Sequence, residues 1–462
     1  YKGWTGFRVS AAGWFDAAYD DTSESNPNLP LSAIPSYIGN EYSNYTKRFY
    51  RGASGEVLDA FAFANFDAGE VPVRLKAGRH TVFWGESLFL GGALHSVSYA
   101  QMPLDLQKGF ATPGVEAKEL FRPLNQLSGQ AQLTDTPSVA AQYFLEWDAY
   151  RYPEGGTYLG PVDFAFNGPD RQFIPGLGFA ANGKAVEPDQ RGEYGVALRW
   201  SPEALDGTLG FYYRRYADKL PQALLTQRGA GVSRYNLIYA DDIDLFGVSL
   251  AKNIGGVSVG AEISHRRDTP LNAQILGVSP TGLPASGETT GPRGDTWHAL
   301  VNVLGVVPDT ALFDSATWAA ELTWAKWDKV RSGERLFYAE GFAPCVGRDK
   351  WDGCTTDDFW GAAFAFTPTW YQVTPGVVLS APVSVAFGLK GNSPTVFGGN
   401  QGNGNYSIGL AADVHQKYRF DLKYIDYFGK YRDNGTALTS QNGFTTALQD
   451  RGFVSLTFKT TF

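Results

Sequence analysis

The chain has 462 residues, of which 19% are charged and 15% aromatic, with 54 glycines and 25 prolines. That glycine and proline load excludes a helical protein of this size, and the charged share lies below the roughly 25% of an ordinary soluble domain. A net charge of −8 excludes sequence-wide attraction to nucleic acid, and two cysteines exclude both a disulfide-dense scaffold and a Cys-rich metal site.

In chain order, apolar and small or polar residues alternate with a period of two, the signature of strands. Val196, Leu198 and Trp200 flank Ala197 and Arg199; Val257, Val259, Ala261 and Ile263 flank Ser258, Gly260 and Glu262. Trp318, Ala320, Leu322 and Trp324 flank Ala319, Glu321 and Thr323, and Tyr406, Ile408, Leu410 and Ala412 flank Ser407, Gly409 and Ala411. Tyr418, Phe420, Leu422 and Tyr424 flank Arg419, Asp421 and Lys423. The charge-free stretch Phe359 to Leu389 carries Pro368, Pro375 and Pro382, so it reads as two strands rather than a membrane helix. Sixteen strands are expected, starting near 4, 56, 71, 128, 138, 193, 207, 236, 256, 294, 315, 357, 377, 404, 416 and 450, with fourteen or eighteen left open.

Such alternation fits a soluble sandwich or a transmembrane barrel, in which the apolar row meets lipid and the polar row a wet lumen. Three features favour the barrel. Short turns alternate with long connectors at about 21–54, 85–128, 152–192, 218–235, 269–293, 329–356, 389–403 and 429–448. Aromatics gather near strand ends, among them Trp4, Trp84, Trp147, Trp200, Trp297 and Tyr371, as a headgroup-level girdle would require. The chain ends Val454-Ser455-Leu456-Thr457-Phe458-Lys459-Thr460-Thr461-Phe462, an alternating strand with a terminal aromatic that resembles the C-terminal signal read by outer-membrane assembly machinery. The fold class expected is therefore all-β: one transmembrane antiparallel barrel over 1–462. An even strand count puts both termini on the short-turn, periplasmic side, and no signal peptide is visible at Tyr1.

The connector 85–128 is too apolar to lie loose in water. The expectation is a plug folded into the lumen, with Arg79, Glu86, Asp105, Glu116, Glu119 and Arg122 as its ion-pair candidates. Arg199, Glu262, Glu321, Arg419, Asp421 and Lys423 are expected to face the lumen. Cys345 and Cys354 share one outer connector and are expected to pair in an oxidising envelope. The five histidines, His80, His95, His265, His298 and His415, stand in no hydrolase or metalloprotease frame, so no enzyme, metal or cofactor is expected. An enzyme of this architecture would show an inward His–Ser or His–Asp contact near the outer rim.

The runs Leu58-Asp59-Ala60-Phe61, Ala77-Gly78-Arg79-His80-Thr81-Val82-Phe83-Trp84-Gly85-Glu86-Ser87, Asp105, Pro113 to Glu119 and Gly156-Thr157-Tyr158-Leu159 carry a further signal. They resemble a proteobacterial outer-membrane protein family still described only as a domain of unknown function. The resemblance is strongest over 55–165. It implies an outer-membrane β-barrel, often encoded beside an exporter of the resistance-nodulation-division type and a periplasmic lipid-carrier-like protein. That setting implies passage of hydrophobic or amphipathic compounds, as in fatty-acid channels. Lipid or lipopolysaccharide, an amphipathic substrate and such an exporter are the partners it implies, with no catalytic residues and the oligomeric state left open. A general diffusion porin and an adhesion barrel acting through its outer loops are the alternatives.

Overall fold

This is a computed structural model; it describes residues 4–24, 35–111, 120–163, 166–174, 178–228, 231–273, 277–279, 282–435 and 438–460. Sixteen antiparallel strands follow one another in a single up-and-down sheet. They are β1 (Thr5–Asp16), β2 (Gly52–Ala68), β3 (Val71–His80), β4 (Leu124–Gln132), β5 (Pro137–Phe144), β6 (Tyr194–Trp200), β7 (Gly207–Tyr216) and β8 (Ile243–Ile254). The second half holds β9 (Val257–Pro270), β10 (Arg293–Val307), β11 (Ser315–Ser332), β12 (Asp358–Thr374), β13 (Val377–Ser380 and Val383–Lys390), β14 (Gly404–Val414), β15 (Tyr418–Phe428) and β16 (Phe453–Thr460). Pro382 has no N–H to give the ladder, and β13 breaks there into two segments.

Sequential pairing runs without a crossover from β1–β2 to β15–β16. A β16–β1 ladder is not among the pairings of the described residues. At the long-connector end the two outermost strands are held instead by Tyr158. Its N–H donates to Tyr19 Oη at 2.9 Å, just beyond β1, and its hydroxyl donates to the Gly452 carbonyl at 3.3 Å, just before β16.

The orientation of the rows decides the architecture. Ile263 is 46% exposed while Glu262 is 4% exposed; Leu322 is 41% exposed while Glu321 is 3% exposed. Apolar side chains point out and carboxylates point in, the inverse of a water-soluble sheet. Among the described residues no second sheet covers the outward row. The buried core lies on the inward face, where Trp84, Val97, Tyr99 and Leu104 of the β3–β4 connector pack on Tyr212, Tyr216 and Leu245 of the wall.

Two expectations need correction, and a third, the Cys345–Cys354 bond, is met. Trp84 and Trp147 are buried and belong to the lumen core and to a core among the long connectors, not to a girdle; Trp200 and Trp297 are exposed on the outward face. The strand expected from 236 begins at Ile243, because Gly231–Ile238 belongs elsewhere. Together with Arg171–Ile174, Gly178–Asn182, Gln222–Arg228 and Gly277–Ser279 it forms a five-stranded sheet over the long connectors. This canopy joins different connectors, as in Arg234 opposite Ala181 and Leu224 opposite Gly277, so no local period announces it. Cys345 and Cys354 are bonded within one long connector, their Cα atoms 6.2 Å apart.

Candidate functional site

The segment between β3 and β4 lies against the inner wall and is held there mainly through its backbone. Irregular backbone cannot satisfy its own N–H and C=O groups, and each one buried without a partner costs about 1–3 kcal/mol. The wall supplies those partners. Glu262 accepts from Val97 N at 2.8 Å and also from Glu86 N. Glu321 accepts from Leu88 N at 2.8 Å and from Phe89 N at 3.3 Å. Arg214 donates to the carbonyls of Val97 and Tyr99 at 3.0 and 2.6 Å, and Arg266 to those of Leu94 and Ser96 at 2.9 and 3.2 Å. The Arg266 guanidinium also lies 4.0 Å from the Tyr99 ring centroid, and Asn302 donates to the Glu86 carbonyl at 2.6 Å. Approach this close needs missing side chains: a Cβ at Gly247 would sit 2.4 Å from Val97, and one at Gly92 would sit 2.0 Å from Glu321.

Side chains add fewer links. His95 Nδ1 lies 3.0 Å from His298 Nδ1, and His95 Nε2 lies 2.8 Å from the Gly398 carbonyl. A carbonyl can only accept, so His95 carries its proton on Nε2 and receives one from His298, whose Nε2 then accepts from Thr296 at 2.9 Å. Burial, then the neighbouring Arg266, pushes the His95 imidazole down to about 4. Toward the long-connector rim, Asp105 pairs with Arg151 at 3.1 Å, and Lys108 pairs with Glu56 at 3.2 Å. Tyr152 also stacks on Phe166 and Phe397 with centroids 4.7 and 5.0 Å apart, an aromatic stack shared by two connectors.

The expected plug ion pairs fall differently. Arg79 stands opposite Ala60 and Asn125, on the face of Leu75 and Leu127, and pairs with Glu146 at 3.0 Å on the outside. The extended strand turns side chains to alternate faces, so its neighbour His80 takes the inward place. Arg122 pairs with Asp148 in the next connector rather than with the wall. Glu86 receives a hydrogen bond from Ser249 at 3.3 Å and has no ion-pair partner among the described residues. Glu116 and Glu119 lie outside the described residues. The six wall positions Arg199, Glu262, Glu321, Arg419, Asp421 and Lys423 stand on the rows opposite the exposed apolar ones. Arg214, Arg266, Asn302 and the His95–His298 contact were not singled out from the sequence; the doublets Arg214-Arg215 and Arg266-Arg267, which put a cation on each face of a strand, were the available sign.

One contact matches the enzymatic alternative. His80 Nε2 lies 2.7 Å from Ser128 Oγ, and His80 Nδ1 lies 2.9 Å from the Gly78 carbonyl. Among the described residues no carboxylate bonds His80.

The fold and its lining define a class: a membrane-spanning antiparallel β-barrel of sixteen strands with an internal segment. The chain belongs to the family described as "Protein of unknown function (DUF1302)", whose model matches residues 1–462. No curated protein matches it. Among solved structures it is similar to OccD3 (OpdP) of Pseudomonas aeruginosa, at 11% identity and a TM-score of 0.36 over 89% of this chain and 79% of that one. It is similar also to the outer-membrane channel DcaP of Acinetobacter baumannii, at 9% identity and a TM-score of 0.34 over 90% of this chain and 98% of that one. At such values the likeness carries no argument, and the fold rests on the strand ladders above.

Proposed function

We propose that this chain is an integral channel of the bacterial outer membrane, both termini periplasmic, that passes a hydrophobic or amphipathic small molecule past a partly occluding segment. The observation that carries this reading is the set of four wall charges, Glu262, Glu321, Arg214 and Arg266, each bonded to connector backbone. Buried charges of this kind are expensive without hydrogen-bond partners, and the partners these four have are connector backbone groups, which supports a segment built into the lumen as a plug. Lipid or lipopolysaccharide surrounds the wall, and the short-turn end is the face on which an inner-membrane exporter would dock. The test is single-channel conductance after deletion of 88–124. A several-fold rise is expected, and unchanged conductance would show that the segment occludes nothing. Glu262→Ala/Glu321→Ala, which keeps the chain length, is the control for a deletion that does not fold.

A second reading, a barrel-embedded hydrolase, draws on the His80–Ser128 contact. It ranks lower because Ser128 is laddered on both sides, and among the described residues His80 has no carboxylate to orient it. Labelling of Ser128 by a fluorophosphonate, abolished by Ser128→Ala, would reverse that order.

A further inference from the structure

The wall is not uniformly covered. The four anchoring charges belong to β7, β9 and β11, in the middle of the sheet. On other strands the inward rows carry Arg8, Arg74, Lys76, Arg199, Arg419 and Lys423. Arg74, Lys76 and Arg199 are exposed and, among the described residues, have no ion-pair partner. The Arg8 side chain remains 65% exposed while paired with Asp59, and that of Arg419 47% exposed while paired with Asp421. Apart from Asp59 and Asp421, the carboxylates on these inward rows are Asp67 and Asp413 at the short-turn ends, Asp16 and Glu56 near the outer end, and Glu193, which Lys219 pairs. The acids elsewhere on the wall do not offset this: Glu262 and Glu321 are buried under connector backbone.

The same surface has an apolar side. Phe61 and Phe63 share the inward row of β2, cross-strand from Gly78 and Lys76, and the Lys76 ammonium lies 5.3 Å from the Phe61 ring centroid. Cations left exposed beside aromatic rings, in a cavity walled by low-dielectric protein and lipid, concentrate the field on whatever passes. We infer that the uncovered part of the lumen recognises anionic amphiphiles: molecules with one acidic head group, taken by the basic row of Arg8, Arg74, Lys76 and Arg199, and an apolar body that lies along Phe61 and Phe63. This deepens the channel reading and rests on it. It also separates this lumen from a charge-balanced porin constriction, where exposed acids would face the exposed bases.

The test pairs two measurements on the full chain. The first is equilibrium binding of radiolabelled decanoate and of decyltrimethylammonium to protein in nanodiscs, against empty nanodiscs. Decanoate is expected to bind at least tenfold tighter than the cation of equal chain length. Arg74→Glu/Lys76→Glu is expected to remove that preference, and Arg199→Glu, on a different strand, to weaken it by a smaller factor. Equal binding of the two probes, or a preference unmoved in both variants, overturns the inference. The second is the zero-current potential in a potassium chloride gradient, expected to show chloride preferred over potassium and the preference inverted in the double variant. A potassium-selective wild type overturns the inference. A protein that keeps its decanoate preference but conducts nothing overturns the channel reading alone.

Discussion

Two regions of one wall use the same residue types in opposite ways. On β7, β9 and β11, inward Arg and Glu are fully buried and spent on connector backbone. On β1, β3 and β6, inward Arg and Lys have no such cover and stay exposed. Charge in a barrel lumen is therefore not one signal. Where it meets irregular backbone it is structural, because a buried ion without partners is worth several kcal/mol against the fold. Where it meets water it is free to act on a passing solute.

The comparison can be broken most severely from its covered side. Glu262→Ala with Glu321→Ala strands four connector N–H groups, at about 1–3 kcal/mol each. The connector is expected to become protease-sensitive in a barrel that still shows heat-modifiable migration on gels. Continued protection would mean that the carboxylates do not hold it.

A smaller effect is expected from acid. His95 has its folded pKa lowered to about 4, below the 6.5 of a free imidazole. Between those values the released connector takes up a proton that the docked one refuses. Docking is thus fully favoured above about 6.5 and loses on the order of 3 kcal/mol as pH falls to about 4. Hydrogen exchange at 94–99 should accelerate over that window, and His95→Gln should flatten the response. Glu154, buried in the β5–β6 connector, runs the other way: burial pushes its carboxyl up to about 8. The folded loop then holds a proton that the unfolded one has released, so this loop weakens as pH rises from about 4.5 to 8. Exchange at 154–168 should report it.

Reduction of Cys345–Cys354 opens a loop with a sequence separation of 9, which predicts about 2–3 kcal/mol of local destabilisation. It should loosen 343–356 without changing conductance. The smallest effect tests the uncovered side. Arg74→Gln should leave barrel stability within about 0.5 kcal/mol by denaturant unfolding, as for a surface substitution free of structural contacts. A larger loss would place Arg74 among the structural charges.

The strand rows were legible because lipid and lumen impose a strict period of two, and all five quoted rows face as expected. What anchors the connector was not. Its partners are main-chain N–H and C=O groups, which every residue carries, so Glu262 and Glu321 could be placed on the inward face without any hint of what they hold. Candidate charges in and beside the connector misled for a related reason. Arg122 finds Asp148, only 26 positions along the chain, and Arg79 is turned outward by its place in β3. Gly92 and Gly247 mark where connector and wall nearly touch.

Tyr158 has a temporal consequence. Its two partners lie 139 and 294 positions away along the chain, one beyond the opening strand and one before the closing strand. Contacts at such separation form late, after most loop-closure entropy has been spent. The clasp can therefore set only once nearly the whole polypeptide is in place, which makes it a latch on completion of the cylinder rather than a nucleus for its growth.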